Sequence, residues 1–232
     1  TCGFARLLCH GTTGNTAMHA YSASRISLPS HSAQPSLPAA FGSEPQQPVN
    51  FFPAGSEIYA QGEKAGAFYQ VEFGAVRIYR LLADGRRQIS AFHLAGETFG
   101  FEADTKHHFF AEAINATGVR AFRFSAGADM SHKLLPLALK GLTRAQEHLL
   151  VLGRQNAIER VAAFLVDMAE RQGGLRQVEL PMSRMDIGDY LGLTIETVSR
   201  VFTRLKDKGV IRLLNLRSIE IVKHVALHCM SE

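Results

Sequence analysis

With 232 residues, 46% hydrophobic and 20% charged, the chain has room for two modest domains and the composition of an ordinary globular protein. Cys2, Cys9 and Cys229 sit near the chain ends, an odd count that excludes a disulfide-rich scaffold and suits a reducing cytoplasm; the longest apolar runs, 134–142 and 161–166, are too short for a bilayer. A net charge of +4 leans toward an anionic partner, and the first residues lack the charged-then-apolar pattern of a secretion signal, so a cytoplasmic protein with no membrane partner is expected.

Residues 1–48 are rich in Ser, Ala, Pro, Gly and Gln, with Arg6, Arg25 and Glu44 as their only charged side chains. No helical or strand period survives there, which reads as a flexible tail with at most a short helix near residues 3–9. From residue 49 to 132 glycines punctuate short β-rich runs, among them FYQVEFG, AVRIYRLL and RQISAFHL, and ADGRR supplies a turn between the last two. Many short strands between glycine turns predict an antiparallel sandwich or barrel.

Residues 133–171 read as one long helix, stopped at Gly173 and Gly174. Within it Ala138, Leu142, Ala145, Leu149, Leu152 and Asn156 recur at spacings of four and three, a coiled-coil seam over a dimerisation segment set at 133–158. About 25 residues of continuous helix reach roughly 37 Å, more than a small β domain can cover, which favours a seam over packing on the chain's own sheet. Asn156 at its end either pairs with its symmetry mate to fix register or lies in solvent.

Residues 159–232 hold the RQVELP strand, a helix from Ser183, a turn at Gly192, a second helix from Thr194, and the alternating GVIRLLNLRSIEIVKH of a β-hairpin. Together these predict a winged helix-turn-helix and an α+β protein overall. Ser183 and Asp186 form a capping-box-like pair, Gly192 permits a left-handed helix end, Leu193 plugs the corner, and Thr194 caps the second helix. On that helix Val198, Val201, Phe202 and Leu205 share one face, leaving Glu196, Ser199, Arg200 and Thr203 on the other.

The exposed row admits two readings. Glu196 and Arg200, one turn apart, could simply pair, which is worth ~0.2–0.5 kcal/mol. Alternatively the helix enters a major groove, where Arg200 donates to guanine O6 and N7 and Glu196 accepts from cytosine N4. Thr194, Thr197, Ser199 and Thr203 would then serve phosphates or base edges near the helix start, while Arg184, Arg204, Lys206, Lys208 and Arg217 supply the sequence-independent phosphate attraction. Cap, turn, second helix and wing occur in the order that double-stranded DNA binding needs, and this decides for the second reading.

The succession of glycine-punctuated strands, long helix and LTIETVSRVFTRLKDKGVI resembles the CRP/FNR superfamily of bacterial transcription regulators, over roughly residues 50–225. The E-T-V-S-R core is similar to its FNR branch, and FHLAGETFGFEADTKHHFFAEAINAT resembles that branch's β-roll; the likeness extends to FixK-type activators of nitrogen-fixing bacteria. The resemblance implies an N-terminal β-roll of the cyclic-nucleotide-binding kind, a long dimerisation helix and a C-terminal winged helix-turn-helix. It also implies a homodimer on a TTG-N8-CAA-like palindrome, recruitment of RNA polymerase, and targets in microaerobic respiration and nitrogen fixation. By position, Ile195 would touch a thymine methyl, Glu196 and Arg200 would read bases, and Ser199 would meet base or phosphate.

Two departures from the family matter. Only Cys2 and Cys9 lie near the start and the β-roll has no cysteine, so a four-thiolate iron–sulfur cluster cannot be assembled in one chain. Cyclic-AMP-binding members hold the phosphate with an Arg-Ser pair, where this chain has HHFFAEAIN, with Phe109, Phe110 and the acidic Glu112. No cofactor is therefore expected, the alternative being a β-roll gated by an unidentified small molecule. No metal site is expected either: His107 and His108 read as a polar surface loop beside Asp104, and His93, His132, His148, His224 and His228 lack ligand spacing. Cys229 reads as an inert exposed thiol, and Ser183 as a site where oxidation has no purchase. No nucleophile–base pair, phosphate loop or carboxylate dyad suggests an enzyme.

Overall fold

A computed structural model describes residues 47–123 and 128–231. The tail expected at 1–48, its possible helix, and the thiols of Cys2 and Cys9 thus fall almost wholly outside the described residues. The elements run β1 (Val49–Phe52), β2 (Glu57–Tyr59), β3 (Ala67–Phe73), β4 (Ala75–Leu81), β5 (Arg87–Leu94), β6 (Thr98–Phe99), β7 (Phe110–Ala113), β8 (Thr117–Arg123), α1 (Ala128–Leu152), α2 (Ala157–Arg171), β9 (Gln177–Glu179), α3 (Arg184–Leu191), α4 (Ile195–Asp207), β10 (Ile211–Leu213), β11 (Ser218–Ile221) and α5 (His224–Ser231).

Strands β1 to β8 form two antiparallel four-stranded sheets, ordered β1-β8-β3-β6 and β2-β7-β4-β5. Alternation along the strands turns Tyr59, Val71, Val76, Ile78, Phe99, Ala111 and Val119 into a common core between them. The FYQVEFG, AVRIYRLL and RQISAFHL runs are β3, β4 and β5, and the last two pair as a hairpin around the ADG turn. β10, β11 and β9 make the small wing sheet.

The single helix expected over 133–171 is two helices. α1 begins earlier, at Ala128, carries Pro136 inside it and ends at Leu152. At the break the Gly153 amide still donates to Leu149 O, but Asn156 has extended geometry (φ −96°, ψ 127°) and its side-chain oxygen accepts from the Ile158 amide at 3.0 Å. Asn156 therefore caps α2 and is not a seam residue. Glycine disfavours continuation, and an asparagine carbonyl offers the next helix the acceptor its free N–H groups lack. Arg160 fastens the joint by donating to Arg154 O at 2.7 Å and to Leu191 O at 3.1 Å. α2 ends at Arg171 before Gly173 and Gly174, both at positive φ, as their sequence predicts.

The seam residues that remain lie on one side of α1. Ala138, Leu142, Ala145 and Leu149 are exposed, Leu142 by 55% and Leu149 by 67%, with Leu152 half-buried. The adjoining side, including Leu137, Gly141, Arg144, His148 and Val151, together with Ala145 faces β5, α2 and α3 across a cavity of about 210 Å³. Glu97 braces this corner, accepting from Arg144 at 2.9 Å on α1 and from Arg171 at 2.7 Å on α2. Burial pushes its carboxyl up, but Arg171, the Leu94 amide and Arg144 outweigh that and hold it below the usual range.

A second, larger core runs without interruption from Ala75, Ile89 and Phe92 on the β4–β5 hairpin through Val161, Phe164, Leu165 and Met168 of α2 to Ile187, Leu191, Val198, Phe202, Ile219 and Ile221. Phe92, Phe164 and Tyr190 meet in tilted and edge-on contacts with centroids 5.1–6.3 Å apart. α5, which the hairpin reading of the last residues left out, buries Leu227 and packs on α2. No described helix is long and apolar enough to cross a membrane.

Candidate nucleic-acid interface

α3 starts with a complete capping box: the Asp186 amide donates to Ser183 Oγ at 3.1 Å, and the Ser183 amide donates to Asp186 Oδ2 at 2.9 Å. It ends at Gly192, whose φ of +64° is the left-handed geometry a helix end needs. Gly188 matters for a different reason. A Cβ there would lie 2.6 Å from Leu193 O, so the chain entering α4 passes directly against α3.

Thr194 caps α4, accepting from the Thr197 amide at 3.2 Å. Val198, Val201, Phe202 and Leu205 are buried, each worth roughly 1.5–3 kcal/mol. The remaining face carries Ile195, Glu196, Ser199, Arg200 and Thr203, all exposed, as the spacing predicts. Among the described residues no ion pair within 4.0 Å joins Glu196 to Arg200, and none of them hydrogen-bonds the Arg200 guanidinium. The Glu196 carboxyl sits below its ordinary range because it accepts from its own amide and from the Thr194 hydroxyl, with Arg200 contributing less. Glu196 is thus ionised and feels Arg200 only through space, so a close intrahelical pair does not account for them.

The phosphate set is less uniform than expected. Arg204, Lys206 and Lys208 are exposed toward the carboxyl end of α4, where they also complement the helix dipole. Thr194 and Thr197 share a hydroxyl contact at 3.1 Å, and the Thr203 hydroxyl donates to Ser199 O. Arg217, on the wing, donates to Pro181 O. Arg184 is held differently from the others: its guanidinium carbon lies 3.3 Å from the centre of the Phe202 ring, and burial pulls its pKa down to about 10.

His107 is also corrected. It is buried, with its ring stacked 3.6 Å from that of Tyr59, while His108 is exposed; both reach Glu102, at 3.3 and 2.9 Å. Among the described residues no group of three or more His, Cys, Asp or Glu side chains could hold a metal ion. Glu112, read from sequence only as a like charge to a phosphate, pairs with Arg77 at 2.5 Å.

That pair belongs to a cluster that sequence reading missed. Asp186 is 3% exposed, yet its carboxylate accepts from four donors: Arg77 Nη1 at 3.0 Å, Arg87 Nη2 at 2.6 Å, and the Ser183 amide and hydroxyl at 2.9 and 2.7 Å. Arg87 also reaches Asp189 at 2.9 Å, and the Gln88 amide donates to Asp189 O at 2.6 Å. β4 and β5 are therefore tied to α3 by two guanidinium forks. The partners lie 99–109 positions apart in the chain, so no local pattern announces them.

Comparison with known proteins fits this geometry. Residues 159–230 match the Crp-like helix-turn-helix domain and residues 49–128 the cyclic nucleotide-binding domain. The chain is 59% identical over 182 residues to the nitrogen fixation regulation protein FixK of Rhizobium meliloti (strain 1021), covering 78% of this chain and 86% of that one. It is 44% identical to the protein of the same name from Azorhizobium caulinodans, over 76% of each chain. The solved structure of FixK2 from Bradyrhizobium japonicum superposes with a TM-score of 0.75 at 42% identity, over 80% of this chain and 98% of that one.

Proposed function

The chain belongs to the CRP/FNR family of transcription regulators, as a DNA-binding helix-turn-helix protein of the FixK type, and from that premise we propose that it is a homodimeric activator of nitrogen-fixation and microaerobic genes. Two chains join along the Ala138, Leu142, Ala145, Leu149 and Leu152 side of α1. Their α4 helices enter successive major grooves ~34–36 Å apart on a TTG-N8-CAA-like palindrome. Glu196 and Arg200 read base edges, Ile195 meets a thymine methyl, and Ser199 meets base or phosphate. Thr194, Thr197, Thr203, Arg204, Lys206, Lys208 and Arg217 lie along the phosphates, and bound dimers recruit RNA polymerase.

The observation that carries this reading is exposed Arg200, unbonded among the described residues, beside ionised Glu196 on an otherwise well-packed helix. A charged fork held out in solvent suits a ligand that supplies two acceptors. Selecting duplexes from a random pool tests it: enrichment of a TTG…CAA palindrome is expected, and recovery of no common sequence would overturn it.

The β-roll offers poor chemistry to a cyclic nucleotide. Glu112 brings negative charge to the stretch that would meet the phosphate, and its own cation, Arg77, is shared with Asp186. DNA binding without cyclic AMP follows, and a requirement for it in a mobility shift would refute the point. A second reading, a regulator gated by a small molecule, draws on the cavity between α1, α2 and β5, where the buried Nδ1 atoms of His93 and His148 make no hydrogen bond among the described residues. Titrating candidate metabolites against DNA affinity separates the two.

A further inference from the structure

We propose that Arg77 and Arg87 are positioning residues that fix which half-site spacing the dimer accepts, by locking α3 to the β4–β5 hairpin through Asp186. This rests on the dimeric DNA-binding reading above and goes beyond it, since both arginine side chains are largely buried, 16% and 22% exposed, in contacts within the chain.

Beside a single bond from Arg171 of α2 to Phe92 O at 2.7 Å, two kinds of contact join the hairpin to the winged helix. One is apolar, with Ala75, Ile89 and Phe92 packed into the core shared with Phe164 and Tyr190. Such burial supplies attraction but little direction, and a smooth apolar contact tolerates rocking. The other is the polar cluster, in which every acceptor position has a geometric demand. Asp186 Oδ1 receives Arg77 and Arg87 together, Oδ2 receives Ser183, and the Arg87 fork spans Asp186 and Asp189. Forked, charge-assisted hydrogen bonds weaken steeply once their angles change.

Stability alone is a poor reason to keep this cluster. Asp186 and Arg77 side chains are 4% and 16% exposed, so both charges have surrendered hydration, and apolar residues of similar volume often do as well or better. What the ions add is a single allowed orientation. That orientation passes to the reading head with little loss, because Asp186 also belongs to the α3 cap and Gly188 holds α4 against α3. With the β-rolls related through the α1 seam, the α3–hairpin angle sets the separation and rotation of the two α4 helices.

DNA reports such an angle directly. One extra base pair between half-sites rotates one of them by about 34–36° about the duplex axis. The full-length protein is titrated against three duplexes carrying identical half-sites at the preferred spacing, one base pair shorter and one longer. Wild type should prefer one spacing. Arg87→Gln and Arg77→Gln should cut that preference on the order of tenfold by losing affinity for the best spacing and not for the others. Arg87→Lys keeps the charge without the fork and should fall between. Melting curves report folding, and if the Gln variants do not fold, Arg87→Lys alone carries the comparison. An unchanged preference in a folded variant, or equal weakening on all three duplexes, overturns the proposal. A wild type that binds no spacing at all instead overturns the dimeric DNA-binding reading.

Discussion

Replacing Gly188 by alanine sets two effects of opposite sign against each other. In a free helix the change gains about 1 kcal/mol, because glycine has the greater backbone freedom to lose. Here the added methyl would stand 2.6 Å from Leu193 O, with Leu193 C and the Ile195 amide nitrogen at 3.5 and 3.6 Å behind it. Those are backbone atoms of the turn into α4, so no rotamer change relieves the contact and the turn must move outward by several tenths of an ångström. Overpacking of this kind costs ~1–3 kcal/mol, and a backbone obstacle belongs toward the upper end. The net is roughly 1–2 kcal/mol destabilising, a fall in melting midpoint of about 2–8 °C for a chain of this size. The displaced turn also tilts α4, so affinity for the specific duplex should drop further than affinity for a scrambled one. Gly192→Ala is the control: its methyl makes only ordinary van der Waals contacts, with Arg160 at 3.7 Å and Leu152 at 4.0 Å, but forces alanine to φ +64°, which costs ~1–2 kcal/mol without pushing α4 aside. Thermal melts beside paired titrations decide the matter. A Gly188→Ala protein that melts at or above wild type would refute the steric argument, and a larger specificity loss for Gly192→Ala would refute the claim that displacement is what counts.

Further outcomes follow from the same geometry. Arg200→Ala should cost ~1–3 kcal/mol per half-site and relax choice at one base pair, whereas Lys206→Ala should weaken all duplexes alike and reduce the salt slope by about one; binding arrays at several ionic strengths distinguish the two. Asn156→Ala should remove ~0.5–2 kcal/mol of α2 cap without altering dimerisation, while Leu149→Glu should give monomers in sedimentation at unchanged secondary structure. His93 and His148 are held near pKa 4 by burial, below their ordinary 6.5, so the unfolded chain binds more protons between those values. Stability is therefore complete above about pH 6.5 and declines as pH falls toward 4; His148→Gln should flatten that decline in urea titrations, and an unaltered slope would exclude His148 as its source.

Local signals carried most of the reading head. Ser183, Asp186, Gly192 and Thr194 act through neighbours two to four residues away, which is the range over which caps and turns are written in sequence. The wing and the β4–β5 hairpin were legible for the same reason. The break between α1 and α2 was not, because Leu149, Leu152 and Asn156 keep the four-and-three spacing across it, and an asparagine satisfies a seam or a cap equally well until its φ is known. Arg184 reads from sequence as a phosphate contact, and its stacking on Phe202 of the next helix has no local signal. Arg77 and Arg87 carry no local signal of their role, since their partners are a hundred residues distant and only the folded chain brings them together.

The uninterrupted core from β5 to β11 bears on how such regulators can be cut and recombined. A fragment beginning at residue 159 would contain every side chain proposed to read bases, yet it would bare the places where Ala75, Ile89 and Phe92 had been and lose the α2 cap. It would carry a raw apolar flank into solution and tend to associate through it. A chimera that exchanges reading heads between relatives should therefore transplant the β4–β5 hairpin along with them, because the border drawn by function does not coincide with the border drawn by packing.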